Sequence, residues 1–142
     1  EKFFITGGSS NVNISGSDYV FYVWKGVKGY SKFGKYVGNG NSNGPFVYTG
    51  FKPAFVMVKA KDSAKNWDIS TGAVSPNNQI DERLRANLSD AEESSGYIDF
   101  LSNGFKMRNT NGTQNTSGLT YIFMAFAEHP FVTSTGIPTT AR

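Results

Sequence analysis

The stretch "NTSGLTYIFMAF", residues 115–126, joins a turn signal to a run of strand-forming residues. Asn, Ser and Gly are typical of tight turns, and the Thr, Tyr, Ile and Phe that come next favour a β-strand. A closely similar stretch, "NISGSDYVFYVW", occupies residues 13–24. The sequence therefore predicts the same turn and strand twice, near opposite ends of the chain.

These two stretches belong to a longer internal repeat. At an offset of 102 residues, residues 1–24 align with residues 103–126 without a gap. The matched pairs are Phe3 and Phe105, Ile5 and Met107, Asn13 and Asn115, Ser15 and Ser117, Gly16 and Gly118, Tyr19 and Tyr121, Val20 and Ile122, Phe21 and Phe123, Val23 and Ala125, and Trp24 and Phe126. This period is domain-sized and far exceeds the roughly 20–50 residues of solenoid or propeller repeats.

The repeat suggests how the chain is organised. We interpret residues 1–24 as a terminal hairpin that resembles the end of an upstream repeat unit, and residues 25–142 as a β-sandwich domain packed with it into one globular body. Two strands alone are unstable in water and expose edges that must be paired. The hairpin is therefore expected to form an interface, within the chain or between chains, through Phe3, Ile5, Tyr19 and Phe21. The alternative is that both stretches are similar, adjacent strands of one sandwich.

Composition and turn spacing favour an all-β fold. The 142 residues fit one domain, and 12 Phe, 7 Tyr and 2 Trp accompany 16 Gly. Short apolar runs separated by turn residues are typical of a sandwich or jelly roll. The predicted strands are Phe3–Thr6, Asp18–Lys25, Ser31–Val37, Phe46–Thr49, Ala54–Ala60, Trp67–Ser70, Tyr97–Leu101, Phe105–Arg108 and Leu119–Glu128.

Two local signals stand out along the chain. Asn103-Gly104 between two strands predicts a hairpin, because both residues tolerate positive φ. Near residues 79–92 the spacing of apolar residues predicts one short amphipathic helix, with an irregular loop as the alternative. In that helix Ile80, Leu84, Leu88 and Ala91 would face the sandwich, and Asp81, Glu82, Arg83 and Arg85 would face water.

Several kinds of chemistry find little support in the sequence. The net charge of +3 is too small and too scattered to indicate a nucleic-acid partner, and the apolar runs are too short for membrane insertion. The chain has no cysteine and no Asp-x-Asp-x-Asp-Gly loop, so neither a cofactor nor a metal is expected. His129 is interpreted as a surface turn residue, and Asp68 and Asp99 are the acids considered for glycoside hydrolysis. We expect no catalytic residues and no enzyme activity.

The candidate ligand-binding residues are polar or aromatic. The loop "VGNGNSNG", residues 37–44, carries amides that could bind sugar hydroxyls at Asn39, Asn41 and Asn43, beside Tyr36 or Tyr48 as a stacking ring. Those amides are equally able to bond their own backbone and shape a long turn. Trp67 has two interpretations, a buried sandwich residue or an exposed platform on which a glycan stacks.

One resemblance covers about residues 19–142. The order of "GYSKFGKYVGNGNSNGPFVYTGFKPAFVMVK" at 29–59, Trp67, "RANLSDAEE", "IDFLSNGFKMR", "NTSGLTYIFMAFAEHPF" and "GIPTTAR" resembles an uncharacterised C-terminal domain of tail-fibre-type virion proteins of marine bacteriophages. The resemblance implies a concanavalin-like or jelly-roll β-sandwich on the virion surface, with no ligand or catalytic residue to carry over. It implies a structural or host-attachment role.

The expected partners depend on that role. They are other copies of the chain in a homo-oligomer such as a trimer, other virion proteins, and a host surface glycan. Two alternatives remain, a decoration or assembly module that joins subunits by strand pairing, and a lectin-fold enzyme that processes glycans.

Overall fold

The structure is a computed structural model that describes residues 14–130. The predicted strand Phe3–Thr6, with the interface residues Phe3 and Ile5, lies outside the described residues. Eight strands are present: β1 Ser31–Val37, β2 Phe46–Tyr48, β3 Pro53–Ala60, β4 Trp67–Thr71, β5 Ile80–Arg85, β6 Glu93–Leu101, β7 Gly104–Met107 and β8 Thr120–Ala127.

The strands form one antiparallel sheet in the order β1-β8-β3-β4-β5-β6-β7-β2. The sheet curls into a nearly closed, barrel-like shape, with β1 and β2 as its two edge strands. The edges approach each other, since Lys32 Nζ on β1 lies 5.5 Å from the ring centre of Tyr48 on β2. The all-β prediction is confirmed, whereas the jelly-roll sandwich stays a prediction.

The core lies inside this curled sheet and is built largely from aromatic rings. On β8 the period-2 alternation buries Tyr121, Phe123 and Ala125. The Tyr36 ring stacks on Tyr121 at 5.2 Å, and the Phe105 ring meets Phe123 edge-on at 5.3 Å. Each large apolar side chain buried in this way contributes about 1.5–3 kcal/mol to folding. The repeated stretch at residues 115–126 thus contributes β8, which lies between β1 and β3 and supplies three of the buried core side chains.

The helix predicted near residues 79–92 is wrong, because residues 14–130 contain no helix. Its first part forms β5, which pairs with β6 through Arg83 opposite Glu93. Leu84 and Leu88 are 42% and 45% exposed, while Arg83 is buried. The predicted helix would have packed Leu84 and Leu88 against the core and exposed Arg83 to water. The opposite occurs because two carboxylates, those of Asp68 and Glu93, pair with the buried guanidinium.

The remaining strand predictions agree with the structure apart from their ends, with one exception. No strand forms at Asp18–Lys25, and Val20 to Trp24 are each between 53% and 81% exposed. The hairpin is confirmed, but Leu101 pairs with Gly104, so the two turn residues are Ser102 and Asn103 and not the predicted Asn103-Gly104. The glycine has a different role from the predicted one. Its φ is not positive, and a Cβ there would collide with the backbone oxygen of Val47 on β2.

Candidate binding surface

The outer face of the sheet carries an apolar row that crosses five strands. Strand register places one residue each from β1, β8, β3, β4 and β5 side by side. In that order they are Phe33, Met124, Met57, Ile69 and Leu84. The first four are half-buried and the last is exposed. We call these five residues the outer row. A continuous, partly exposed apolar strip of this kind is a candidate interaction surface.

Trp67 lies beside the outer row, on the same face of the sheet. It stands opposite Lys59 on β3, which in turn stands opposite Ile122 on β8. Trp67 is half-buried, between the two states that the sequence left open. It helps to line an apolar groove of about 320 Å³ together with Phe33, Met57, Ile122, Phe123 and Met124. One indole is therefore both anchored in the sheet and accessible from the groove.

Two asparagines complete this region, and sequence reasoning missed both as candidate ligand residues. The backbone N–H of Trp67 donates to Asn87 Oδ1 at 2.8 Å, and Asn87 Nδ2 donates to Asn66 Oδ1 at 3.1 Å. Asn87 is exposed and Asn66 is half-buried. The amide pair is bonded to the backbone at Trp67, although residues 66 and 87 are 21 positions apart. Only Asn66, adjacent to Trp67 in the chain, could have been suspected from the sequence.

The Asn-rich loop between β1 and β2 is held together by its own side chains. Asn39 Oδ1 accepts the Asn41 N–H, and Asn41 Oδ1 accepts the Asn43 N–H. Asn39 Nδ2 donates to the carbonyl oxygen of Asn43. These hydrogen bonds are the ones expected if the asparagine amides bond their own backbone and shape a long turn. Glycan binding by Asn39, Asn41 and Asn43 stays a prediction.

Asn115 fastens this loop to the body of the fold. It is completely buried, and its Oδ1 accepts the backbone N–H of Asn39 at 2.9 Å. Its Nδ2 donates to the carbonyl oxygens of Asn41 and Asn109 at 2.8 and 2.7 Å. The Asn of the repeated Asn-x-Ser-Gly turn therefore serves as an anchor between distant loops, a role that the sequence did not suggest.

Tyr48 and Trp67 do not lie in one site. Tyr48 is exposed on the edge strand β2 and lines a groove of about 570 Å³ between the two sheet edges. That groove and the Trp67 groove have Phe33 in common. The predicted ligand residues are thus spread over three places, the Asn-rich loop, the edge groove and the outer face.

A buried charge network lies inside the sheet, beneath this surface. Arg83 Nη1 lies 2.9 Å from Asp68 Oδ2, and Arg83 Nη2 lies 2.8 Å from Glu93 Oε2. Thr113 Oγ1 donates to the same oxygen of Asp68. The network ties β4, β5, β6 and the loop before β8 together. Asp68, one of the acids considered for hydrolysis, is therefore engaged inside the core.

The other acid considered, Asp99, is half-buried on β6 and pairs with Arg108 at 3.4 Å. His129 is exposed at the end of the chain's described part, 3.9 Å from Glu128. Across residues 14–130, no three or more His, Cys, Asp or Glu side chains cluster in a way that could hold a metal ion. No helix long and apolar enough to cross a membrane occurs among the same residues.

The two predicted interface residues that the structure describes lie in the segment before β1. Tyr19 is half-buried and Phe21 is 58% exposed, with their ring centres 6.5 Å apart. The Ile14 N–H donates to Tyr19 Oη at 2.9 Å. The structure thus places them at the surface, and their role in an interface stays a prediction.

Fold and surface define the class as an all-β module with an apolar outer face. Residues 1–130 match the family described as a domain of unknown function (DUF7483), and the chain belongs to that family. The matched span includes both copies of the repeat. No curated protein and no solved structure matched the chain.

Proposed function

We propose that the chain is a non-enzymatic structural and adhesion module of a bacteriophage virion, part of a tail fibre or surface appendage, that attaches to a host surface glycan. The observation that carries the adhesive role is Trp67, a half-buried aromatic residue that lines an apolar groove on the outer face of the sheet. The Asn87 amide accepts the backbone N–H of the same residue and bonds the Asn66 amide. The virion location rests on the resemblance of residues 19–142 to tail-fibre-type domains.

The chemistry of this region suits a sugar. An aromatic ring offers an apolar face for the C–H side of a pyranose, while amide side chains donate to and accept from its hydroxyls. Ligand sites combine a mainly apolar concave surface with a few placed polar groups. Here the groove supplies the apolar surface, and the Asn66 and Asn87 amides, bonded at the Trp67 backbone, are the polar groups that we propose. Lys59 Nζ, which donates to the carbonyl oxygens of Ala60 and Ser63, holds the β3–β4 connection that leads to Asn66 and Trp67.

Attachment through such a shallow site requires several copies. A single groove that is open to water binds weakly, and tethering several grooves raises overall avidity by about 10²–10⁴-fold without any new contact. A homo-oligomer, as a trimer at a fibre tip, would provide that tethering. In this proposal the curled sheet is a concanavalin-like or jelly-roll sandwich that presents the grooves outward.

A glycan array tests the adhesive role directly. The purified chain is displayed at multivalent density on beads, and the variants Trp67→Ala and Tyr97→Ala are compared with it. Tyr97 is an exposed aromatic on β6, outside the Trp67 groove, and serves as the matched control. We expect the wild type to bind a subset of glycans, Trp67→Ala to lose at least about tenfold, or about 1.4 kcal/mol, and Tyr97→Ala to bind normally. Absence of wild-type binding at this density would remove the adhesive role.

A second candidate function is assembly by strand pairing. The observation that favours it is the exposed apolar run Val20 to Trp24, which is joined to the edge strand β1 by residues 25–30. Strand addition uses the backbone groups of a free edge for affinity and alternate side chains for specificity. Light scattering of the purified chain checks it, because a monomer at all accessible concentrations would argue against pairing between chains.

A further inference from the structure

The internal repeat is present in the three-dimensional structure as well as in the sequence. Before β8, the Thr116 N–H donates to Tyr121 Oη at 2.9 Å, Leu119 N–H donates to the Thr116 carbonyl at 3.2 Å, and Gly118 has a φ of 77°. The positions 102 residues earlier show the same three features. There the Ile14 N–H donates to Tyr19 Oη at 2.9 Å, Ser17 N–H donates to the Ile14 carbonyl at 3.3 Å, and Gly16 has a φ of 80°. The two corners share one local fold.

The strand-forming segments after the two corners have opposite environments. After Tyr121 the chain forms β8, whose inward residues Phe123 and Ala125 are buried between β1 and β3. After Tyr19 the equivalent residues Phe21 and Val23 are 58% and 60% exposed. The local corner therefore forms without its sheet, and the earlier segment lacks the neighbouring strands that β8 has.

The connection to β1 shows that the earlier copy can reach the β8 position, by which we mean the space between β1 and β3. Ser31, the first residue of β1, pairs with Phe126 of β8. Trp24 corresponds to Phe126 in the repeat, so residues 25–30 would only have to turn the chain back into β1. A connection of six residues is ample for an antiparallel hairpin.

From these relationships we infer that residues 14–26 are an interchangeable second copy of β8, which binds in the β8 position of a unit of this same fold when that position is open. Each residue would take the place of the residue 102 positions later. Tyr19, Phe21 and Val23 would then face the core, and Val20, Tyr22 and Trp24 the outer face. The inference deepens the assembly role proposed above by naming the binding site as the β8 position of this fold, in the same chain or in a second copy, and it does not depend on glycan attachment.

A comparison of full-length variants tests this inference. Phe123→Asp places a charge on the buried face of β8 and should open the β8 position, whereas Phe21→Asp does the same to the earlier copy. Urea denaturation followed by far-UV circular dichroism should show a cooperative transition for each single variant, since either copy can complete the sheet. The double variant should show none. If Phe123→Asp is as unfolded as the double variant, the inference is wrong.

Disulfide trapping provides a second readout in the Phe123→Asp background, because the natural chain has no cysteine. Val56 on β3 stands opposite Ala125 on β8, and this pair lies between two hydrogen-bonded pairs of the ladder. At such positions the opposing Cα atoms are about 4.5 Å apart, a separation that a disulfide can bridge. Val23→Cys should therefore cross-link to Val56→Cys, whereas Val20→Cys, which would point to the outer face, should not. Light scattering shows whether the strand came from the same chain or a second one, and either result supports the exchange. Equal cross-linking by both cysteines, or none by Val23→Cys in a folded variant, would overturn it.

Discussion

Arg83 and Asp68 form an ion pair at 2.9 Å in which both side chains are almost fully enclosed, with 4% and 0% of their surfaces exposed. The pair joins β4 to β5, and Glu93 extends it to β6 at 2.8 Å. Removing two charges from water is costly, and the pair repays that cost only while its geometry and the hydrogen bonds to Asp68 Oδ2 are kept. The region where the sequence predicted a water-facing arginine is therefore among the most constrained in the fold.

We expect Arg83→Met to lower the free energy of unfolding by about 3–5 kcal/mol, because the carboxylate of Asp68 would be left buried without its partner. Urea denaturation measures the change. Lys61→Met is the matched control, since Lys61 pairs with Asp62 in an exposed bridge, and exposed bridges contribute about 0–1 kcal/mol. Similar losses in the two variants would contradict a special role for the buried pair.

Asn115→Ala should destabilise the fold and loosen the Asn-rich loop. The substitution removes the acceptor of the Asn39 N–H and the donor to the Asn41 and Asn109 carbonyls, at a cost of about 1–3 kcal/mol for the groups left unpaired. Hydrogen exchange at Asn39 to Gly44 should accelerate accordingly. Asn43→Ala, which removes an exposed side chain, should leave both stability and exchange almost unchanged. Unaltered loop protection in Asn115→Ala would show that the anchor is unnecessary.

Tyr36 should make the fold sensitive to alkaline pH. Burial, with smaller contributions from Tyr121 and Asp68, raises the pKa of the Tyr36 phenol well above its usual 10.0. The folded chain then keeps a proton that the unfolded chain releases, so this contribution to stability is complete below about pH 10 and is lost as the pH rises above it. The phenol also donates to the Gln114 carbonyl at 2.6 Å.

Urea denaturation of the wild type and Tyr36→Phe at a series of pH values from about 8 to 11 separates these effects. At about pH 8, where the phenol is protonated in both states, the variant should be less stable by about 1 kcal/mol, the net value of a hydrogen bond. Above pH 10 the wild type should lose stability more steeply than the variant. Parallel pH profiles would be inconsistent with the raised pKa.

Gly104→Ala should be strongly destabilising even though Gly104 has ordinary backbone angles. An added Cβ would meet the backbone oxygen of Val47 and, at 2.9 Å, the Phe46 ring, so β2 would be pushed off the sheet. Thermal unfolding should show a clear loss of several degrees. In Gly26→Ala the nearest atom would be the Ser31 carbonyl oxygen at 3.8 Å, and the melting temperature should stay close to that of the wild type. Equal melting temperatures would mean that β2 can shift at little cost.

Much of the fold could be predicted from the sequence, because strand position depends mainly on local pattern. Alternating apolar residues and turn residues placed β1 at Ser31–Val37 with its observed bounds and located β8 and the Leu101–Gly104 hairpin. The internal repeat was also visible in the sequence, as matching residues at an offset of 102 positions. Local chemistry suffices in these cases. In both copies a Gly at positive φ is followed by a Tyr whose hydroxyl accepts the backbone N–H of the residue five positions earlier, and the same corner forms.

The tertiary structure decided the rest, because those features depend on partners far away in the chain. Arg83 is buried only because Asp68 and Glu93 arrive from neighbouring strands, and the helical spacing around it carried no information about them. Asn87 joins Trp67 only through the pairing of β4 and β5. Likewise, "NTSGLTYIFMAF" forms a buried strand and the similar "NISGSDYVFYVW" does not, since a strand requires neighbours on both sides and the space between β1 and β3 accommodates one copy.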